Sequence, residues 1–165
     1  MNLHLSDEWA RKQLRRAYAV ALGSPDPSTQ NGALVFDPDG MLIGQGCNAF
    51  TDGMPITADL LERPKKYAFI EHAERHAIYA ATRVGMPPAT MVCAWAACAD
   101  CARAIATSGI TTLVRHIRED TTGRWGESIE WGDQILRAAG VDIIDITGEL
   151  GGCVPILFSG QEFHP

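Results

Sequence analysis

Residues 90–109 read Thr90-Met91-Val92-Cys93-Ala94-Trp95-Ala96-Ala97-Cys98-Ala99-Asp100-Cys101-Ala102-Arg103-Ala104-Ile105-Ala106-Thr107-Ser108-Gly109. The uncharged run Thr90 to Ala96 reads as a buried strand, and Ala99 to Ser108 as a helix that Gly109 stops. The same alternation continues downstream, with a strand over 111–117, a helix over 128–139 stopped by Gly140, and a strand over 141–146. Upstream lies a helix over 72–83. Before it, strands 32–36 and 41–46 flank the turn Asp37-Pro38-Asp39-Gly40. A first helix starts at the N-cap Ser6, with Asp7 and Glu8 in its first turn, and runs to the stop at Gly23-Ser24-Pro25. A hairpin feeding successive strand–helix units predicts an α/β chain, a three-layer α/β/α fold around a mixed sheet of about five strands. Residues 1–165 then form a single domain, with a core over about 6–147 and a Gly/Pro-rich tail over 148–165. Within that tail, residues 154–158 are apolar enough to pack. The irregular stretch from Asn48 to Lys66 is long enough to expect a functional loop. Residues 118–127, polar and Gly-containing, read as a mobile flap.

Composition narrows the function. Of the 165 residues, 46% are hydrophobic and 21% charged, with 14 basic against 20 acidic side chains. The net charge of −6 disfavours nucleic-acid binding, whose affinity rests on Lys and Arg neutralising phosphates. No uncharged run reaches the ~20 apolar residues of a membrane span, and the N-terminus does not read as a signal peptide. Five cysteines, an odd number without a secretion signal, point to a cytoplasmic protein with reduced thiols.

Two clusters carry chemistry. His72-Ala73-Glu74 opens one predicted helix and Cys98-Ala99-Asp100-Cys101 opens another. Together His72, Cys98 and Cys101 offer the nitrogen and sulfur donors that zinc prefers, three ligands that leave the fourth tetrahedral position for water. Helix starts favour the thiolate that a metal requires. Glu74, two residues beyond His72, is placed to move protons without ligating.

These residues bring the resemblance into view. His-x-Glu followed by Cys-x-x-Cys resembles the signature of the zinc-dependent cytidine deaminase superfamily, and the wider blocks are similar to its deoxycytidylate (dCMP) deaminases. Those blocks are residues 66–78 around His72, residues 26–35, residues 46–50 (Gly46-Cys47-Asn48-Ala49-Phe50), and residues 99–102 with 108–110. The resemblance implies a cytidine-deaminase-like fold, one Zn²⁺ per chain on His72, Cys98 and Cys101, and Glu74 as proton shuttle. It further implies that the Ala73 N–H meets the base carbonyl, that Asn48 meets the sugar, and that Trp95 and Ala96 line the base pocket. The implied reaction is hydrolytic deamination of a free nucleotide, dCMP to dUMP, by a homo-oligomer acting on a small molecule.

Some positions depart from the pattern. Ala97 replaces the usual proline, His76 an asparagine, and Asn31 an apolar residue or proline. Asp52 stands where an arginine is usual, which opens the alternative of an uncharged nucleoside or another amino-heterocycle. Lys65 and Lys66 are then the candidate phosphate contacts. A redox reading of Cys98 and Cys101 leaves His72 and Glu74 without a role. A metalloprotease reading of His72 and His76 fails because Glu74 sits one position late. A non-catalytic zinc module would need a fourth ligand, His76 or Cys93. Arg11, Lys12, Arg15 and Arg16 are expected on a solvated helix face, and Cys47, Cys93 and Cys153 as small buried residues.

Overall fold

The computed structural model describes residues 5–117 and 124–165. Helix α1, Asp7–Ala21, is capped by the Ser6 hydroxyl, which accepts from the Trp9 N–H at 3.2 Å. Strands β1, Gly32–Phe36, and β2, Leu42–Cys47, pair antiparallel as a hairpin. The long loop that follows is less irregular than expected. It holds the two-residue strand β3, Ala49–Phe50, a 3₁₀ turn over Ala58–Leu61, and the short helix α2, Lys66–Phe69. Strand β4, Ile70–Glu71, then pairs with β3. Beyond it the chain alternates helix α3 (Ala73–Thr82), β5 (Thr90–Cys93), α4 (Ala99–Thr107), β6 (Thr112–His116), α5 (Gly126–Ala138) and β7 (Asp142–Ile146).

The central sheet runs β2-β1-β5-β6-β7, with β1 antiparallel to both neighbours and β5, β6 and β7 parallel. This is the mixed five-stranded α/β sheet that the sequence predicts. Alternation along β1 divides the core. Ala33 and Val35 face α3, α4 and Leu136 of α5, whereas Leu34 and Phe36 face Leu14, Ala17 and Tyr18 of α1. Three helices therefore cover one face, and α1 shares the other with the C-terminal segment.

That segment is an ordered part of the second layer rather than a loose tail. Residues Ile156–Phe158 (β8) and Gln161–Phe163 (β9) form an antiparallel hairpin. It is tied to the loop before β1 by the Gln30 N–H donating to the Leu157 carbonyl (2.9 Å) and the Gly160 N–H donating to that of Ser28 (2.8 Å). The chain leading to it is anchored by α1. Arg15 donates to the carbonyls of Leu150 and Gly151, and Arg11 to that of Thr147. These arginines hold the tail instead of only facing solvent. The expected flap lies mostly outside the described residues, since 118–123 are not described and 126–127 begin α5. Cys93 is fully buried, whereas Cys47 and Cys153 are only partly so.

Two close approaches position the helices. A Cβ on Gly44 would lie 2.4 Å from the Ala77 carbonyl oxygen, and one on Gly46 2.7 Å from the Ala77 nitrogen. Only glycine lets α3 lie this near the β2 backbone. Gly44→Ala is expected to force the two apart and destabilise the protein by about 3 kcal/mol, measured as a shift in urea midpoint against the parent chain.

Candidate active site and metal centre

His72 is the N-cap of α3 and Cys98 the N-cap of α4, both in extended backbone conformation. The β3–β4 ribbon delivers the first and the end of β5 the second, so two helix N-termini meet beside one strand end. His72 Nδ1 lies 3.6 Å from Cys98 Sγ and 3.4 Å from Cys101 Sγ, and the three donor atoms fall within 4.8 Å of one another. A tetrahedral zinc with ordinary Zn–S and Zn–N bonds would separate sulfur and nitrogen by about 3.5 Å. The donor set therefore fits zinc in type and spacing. Among the described residues it is the one such cluster of His, Cys, Asp and Glu.

The turn carrying Cys98 lacks its usual proline but is braced from outside. A Cβ on Gly132 of α5 would stand 2.5 Å from the Ala97 carbonyl oxygen, so α5 lies flush on the turn. The Ser128 hydroxyl also accepts from the Ala99 N–H at 3.2 Å. Burial within α5 contact supplies rigidity that Ala97 cannot.

The two thiols share a proton unequally. The Cys98 thiol is brought down to about 4 by a hydrogen bond from Cys101, aided by His72, while Cys101, which keeps the shared proton, is pushed up. Arg75 Nη1 adds a donor 3.7 Å from Cys101 Sγ and is itself paired with Glu71. Glu74 is 1% exposed, and burial pushes its carboxyl up although the His72 charge pulls it back. A carboxyl raised toward neutrality is suited to accept and return a proton.

The site opens into a cavity of about 340 Å³. His72, Glu74, Cys98, Asn48, Trp95 and Ala96 all line it. The two contacts expected for substrate, Asn48 and the Ala73 N–H, are paired with each other: Asn48 Oδ1 accepts from Ala73 N at 3.0 Å, and Asn48 Nδ2 donates to the Thr29 carbonyl. The two candidate phosphate lysines are both ion-paired. Lys66 lines the cavity but is buried and ion-paired with Asp26 at 2.7 Å, whereas Lys65 pairs with Asp59 and does not line it. Arg63 and Arg124, both exposed, are the cations at the cavity mouth that have no carboxylate partner among the described residues. Asp52 is exposed and does not line the cavity. His76 bonds the Cys47 carbonyl at 3.1 Å, and neither it nor Cys93 joins the ligand cluster.

One wall was not foreseen from the sequence. Phe158 and Phe163 of the C-terminal hairpin stack against Trp95 at centroid separations of 4.6 and 5.2 Å, and Gln161 and Glu162 line the cavity beside them. The apolar run at 154–158 signals packing, but not what it packs on. Trp125 also lines the cavity, edge-on to His72 (5.7 Å) and Tyr67 (5.9 Å).

Residues 7–117 match the model of the cytidine and deoxycytidylate deaminase zinc-binding region. The chain belongs to this family. An uncharacterized deaminase encoded in the luxG 3′ region of Aliivibrio fischeri is 32% identical over 137 residues, covering 82% of this chain and 92% of that protein. The deoxycytidylate deaminase of Mus musculus is 29% identical over 128 residues, covering 70% and 71% of the two chains. The dCMP deaminase of cyanophage S-TIM5, solved with dCMP and dUMP, superposes with a TM-score of 0.65 at 20% identity, covering 87% of this chain and all of that one. A mutant of NE0047 in complex with 8-azaguanine also shares the fold, with a TM-score of 0.57 at 22% identity over 85% and 77% of the chains. The family makes the chain a hydrolytic deaminase, and the fold alone does not choose the base.

Two outcomes follow from this geometry. Cleared of other metals, the protein is expected to carry one zinc per chain by elemental analysis and to lose it in Cys98→Ser; full zinc in that variant would contradict the ligand set. Lys66→Met leaves Asp26 buried without its counter-ion and is expected to cost about 3 kcal/mol at neutral pH. Lys66 holds the Asp26 carboxyl below its ordinary value against the opposing effect of burial. Its contribution is therefore present above about pH 4 and lost as pH falls through the folded-state value. The gap between variant and parent in urea titrations should narrow at acid pH.

Proposed function

We propose that the protein deaminates a cytosine-type free nucleotide, dCMP to dUMP with release of ammonia. The observation that carries the nucleotide reading is the pair Arg63 and Arg124 at the mouth of a cavity whose floor holds His72, Cys98 and Glu74. Arginine forks suit a phosphate, and the aromatic side chains of Trp95, Phe158 and Phe163 offer apolar faces to a planar ring. The named function of the murine relative supports the same substrate class.

Zinc held by His72, Cys98 and Cys101 would supply the Lewis acidity that makes water nucleophilic near neutral pH. The remaining work belongs to the protein. Glu74 takes the proton of the attacking water and passes it to ring N3 as the new C4–O bond forms. It then takes the second proton of that oxygen and gives it to the departing amine, so the C4–N bond breaks and ammonia leaves. The net change is one water consumed and one ammonia released. Asn48 and the Ala73 N–H, mutually bonded in the structure, exchange partners to meet sugar and base carbonyl. Reduced thiols at the metal site accord with a cytoplasmic location.

The test is ammonia release over dCMP, 5-substituted dCMP, dCTP, deoxycytidine, cytidine, cytosine and guanine. The highest kcat/KM is expected on dCMP, and the Arg63→Gln/Arg124→Gln double variant is expected to raise KM for dCMP about tenfold or more while leaving deoxycytidine unchanged. Turnover of an uncharged base or nucleoside with none on dCMP would replace this reading by the uncharged-substrate one.

A further inference from the structure

Asn31 immediately precedes β1, is 6% exposed, and lines the cavity beside Glu74. Its Oδ1 accepts from the Gly32 N–H at 2.9 Å. That bond settles which way the amide faces, because a backbone N–H cannot bond the NH₂ end. The Nδ2 group is thereby turned to Glu74, donating to Oε2 at 3.2 Å, with Cys93 Sγ 3.6 Å away. The donor adjoins β1, which is buried along its whole length and paired on both sides.

We propose that Asn31 is a positioning residue for deamination: its amide pins one oxygen of the Glu74 carboxylate so that the other carries the proton between water, ring nitrogen and leaving amine. The last torsion of a glutamate side chain is only loosely fixed, a broad two-fold well. Each turnover asks Glu74 to present one oxygen in turn to the attacking water, ring N3 and the leaving amine. Misplacement of a proton carrier by a fraction of an ångström lowers rate without altering ground-state binding. Pinning Oε2 narrows that freedom, together with the Glu74 N–H and the Cys101 thiol that also bond the carboxyl. The proposal rests on Glu74 as the proton carrier, and it is independent of which base the enzyme accepts.

The experiment compares two variants on whichever substrate of the panel turns over fastest. Asn31→Asp keeps the acceptor for the Gly32 N–H but replaces the donor to Glu74. Asn31→Leu removes both. Each is expected to lower kcat at least about tenfold with KM within about twofold of the parent and zinc content unchanged. If Asn31 served only to satisfy Gly32, Asn31→Asp would retain parental kcat, and that result overturns the proposal. Should Asn31→Leu fail to fold, Asn31→Asp still decides. A crystal structure of the zinc-loaded parent supplies a readout free of activity: Asn31 Nδ2 is expected within hydrogen-bond distance of Glu74 Oε2, and an amide turned away overturns the proposal equally. Glu74→Gln serves as the control. Full activity in that variant would sink the role of Glu74 itself, a failure distinct from a silent Asn31.

Discussion

The near-contact of α3 with the backbone of β2, possible because Gly44 and Gly46 present no Cβ, sets where the chemistry sits. A helix held that close cannot slide or roll, so its first residues fall at the end of β2 beside Cys47 and Asn48. His72 caps that helix, and Glu74 lies in its first turn. The mirror arrangement operates on α4. There α5 approaches through Gly132 and fixes the turn from Ala97 to Cys98 from outside. Two helix starts, each immobilised by a glycine contact, leave three ligand atoms at spacings a tetrahedral ion requires. The donor cluster thus depends on backbone packing against Ala77 of α3 and against Ala97 and Cys98 at the start of α4.

Much of this was legible in the sequence because the signals were local. Strand β1 and the four helices longer than one turn were bounded to within about two residues by caps, glycine stops and apolar runs. The triad of His72, Cys98 and Cys101 was legible because soft ligands at two helix starts have few other uses. What escaped depended on partners distant in the chain. Lys66 looked like one of a basic cluster and is instead neutralised by Asp26, forty positions earlier. Arg15 looked like a solvated helix residue and in fact bonds carbonyls near residue 150. The C-terminal segment looked like a tail, since Gly148, Gly151 and Gly152 mark flexibility in isolation and carry no record of the Trp95 face on which the later phenylalanines stack.

That division between local and distant signals also separates reaction from substrate. The groups that would perform deamination come from helix starts and one strand end, elements shared with proteins of the same fold that meet pyrimidine nucleotides or 8-azaguanine. The cavity walls come from elsewhere: Arg63 and Tyr67 from the long loop, Arg124 and Trp125 from the approach to α5, and Phe158 to Phe163 from the last hairpin. These segments are held by side-chain and loop contacts rather than by the central sheet. They can change in sequence with little effect on the floor of the site.

Charge makes the same point. With a net charge of −6, a phosphate approaches against the mean field of the protein. The charge of Lys66 is already matched within hydrogen-bond distance by Asp26. A Debye length of about 8 Å at physiological ionic strength screens the remote carboxylates, so the sign of the field at the mouth is set by residues within that radius. Arg63 and Arg124 lie in the cavity wall itself, whereas Asp52 does not. Under the nucleotide proposal, Arg63 and Arg124 take the part of the arginine missing at position 52, against the Glu162 carboxylate that shares the cavity lining.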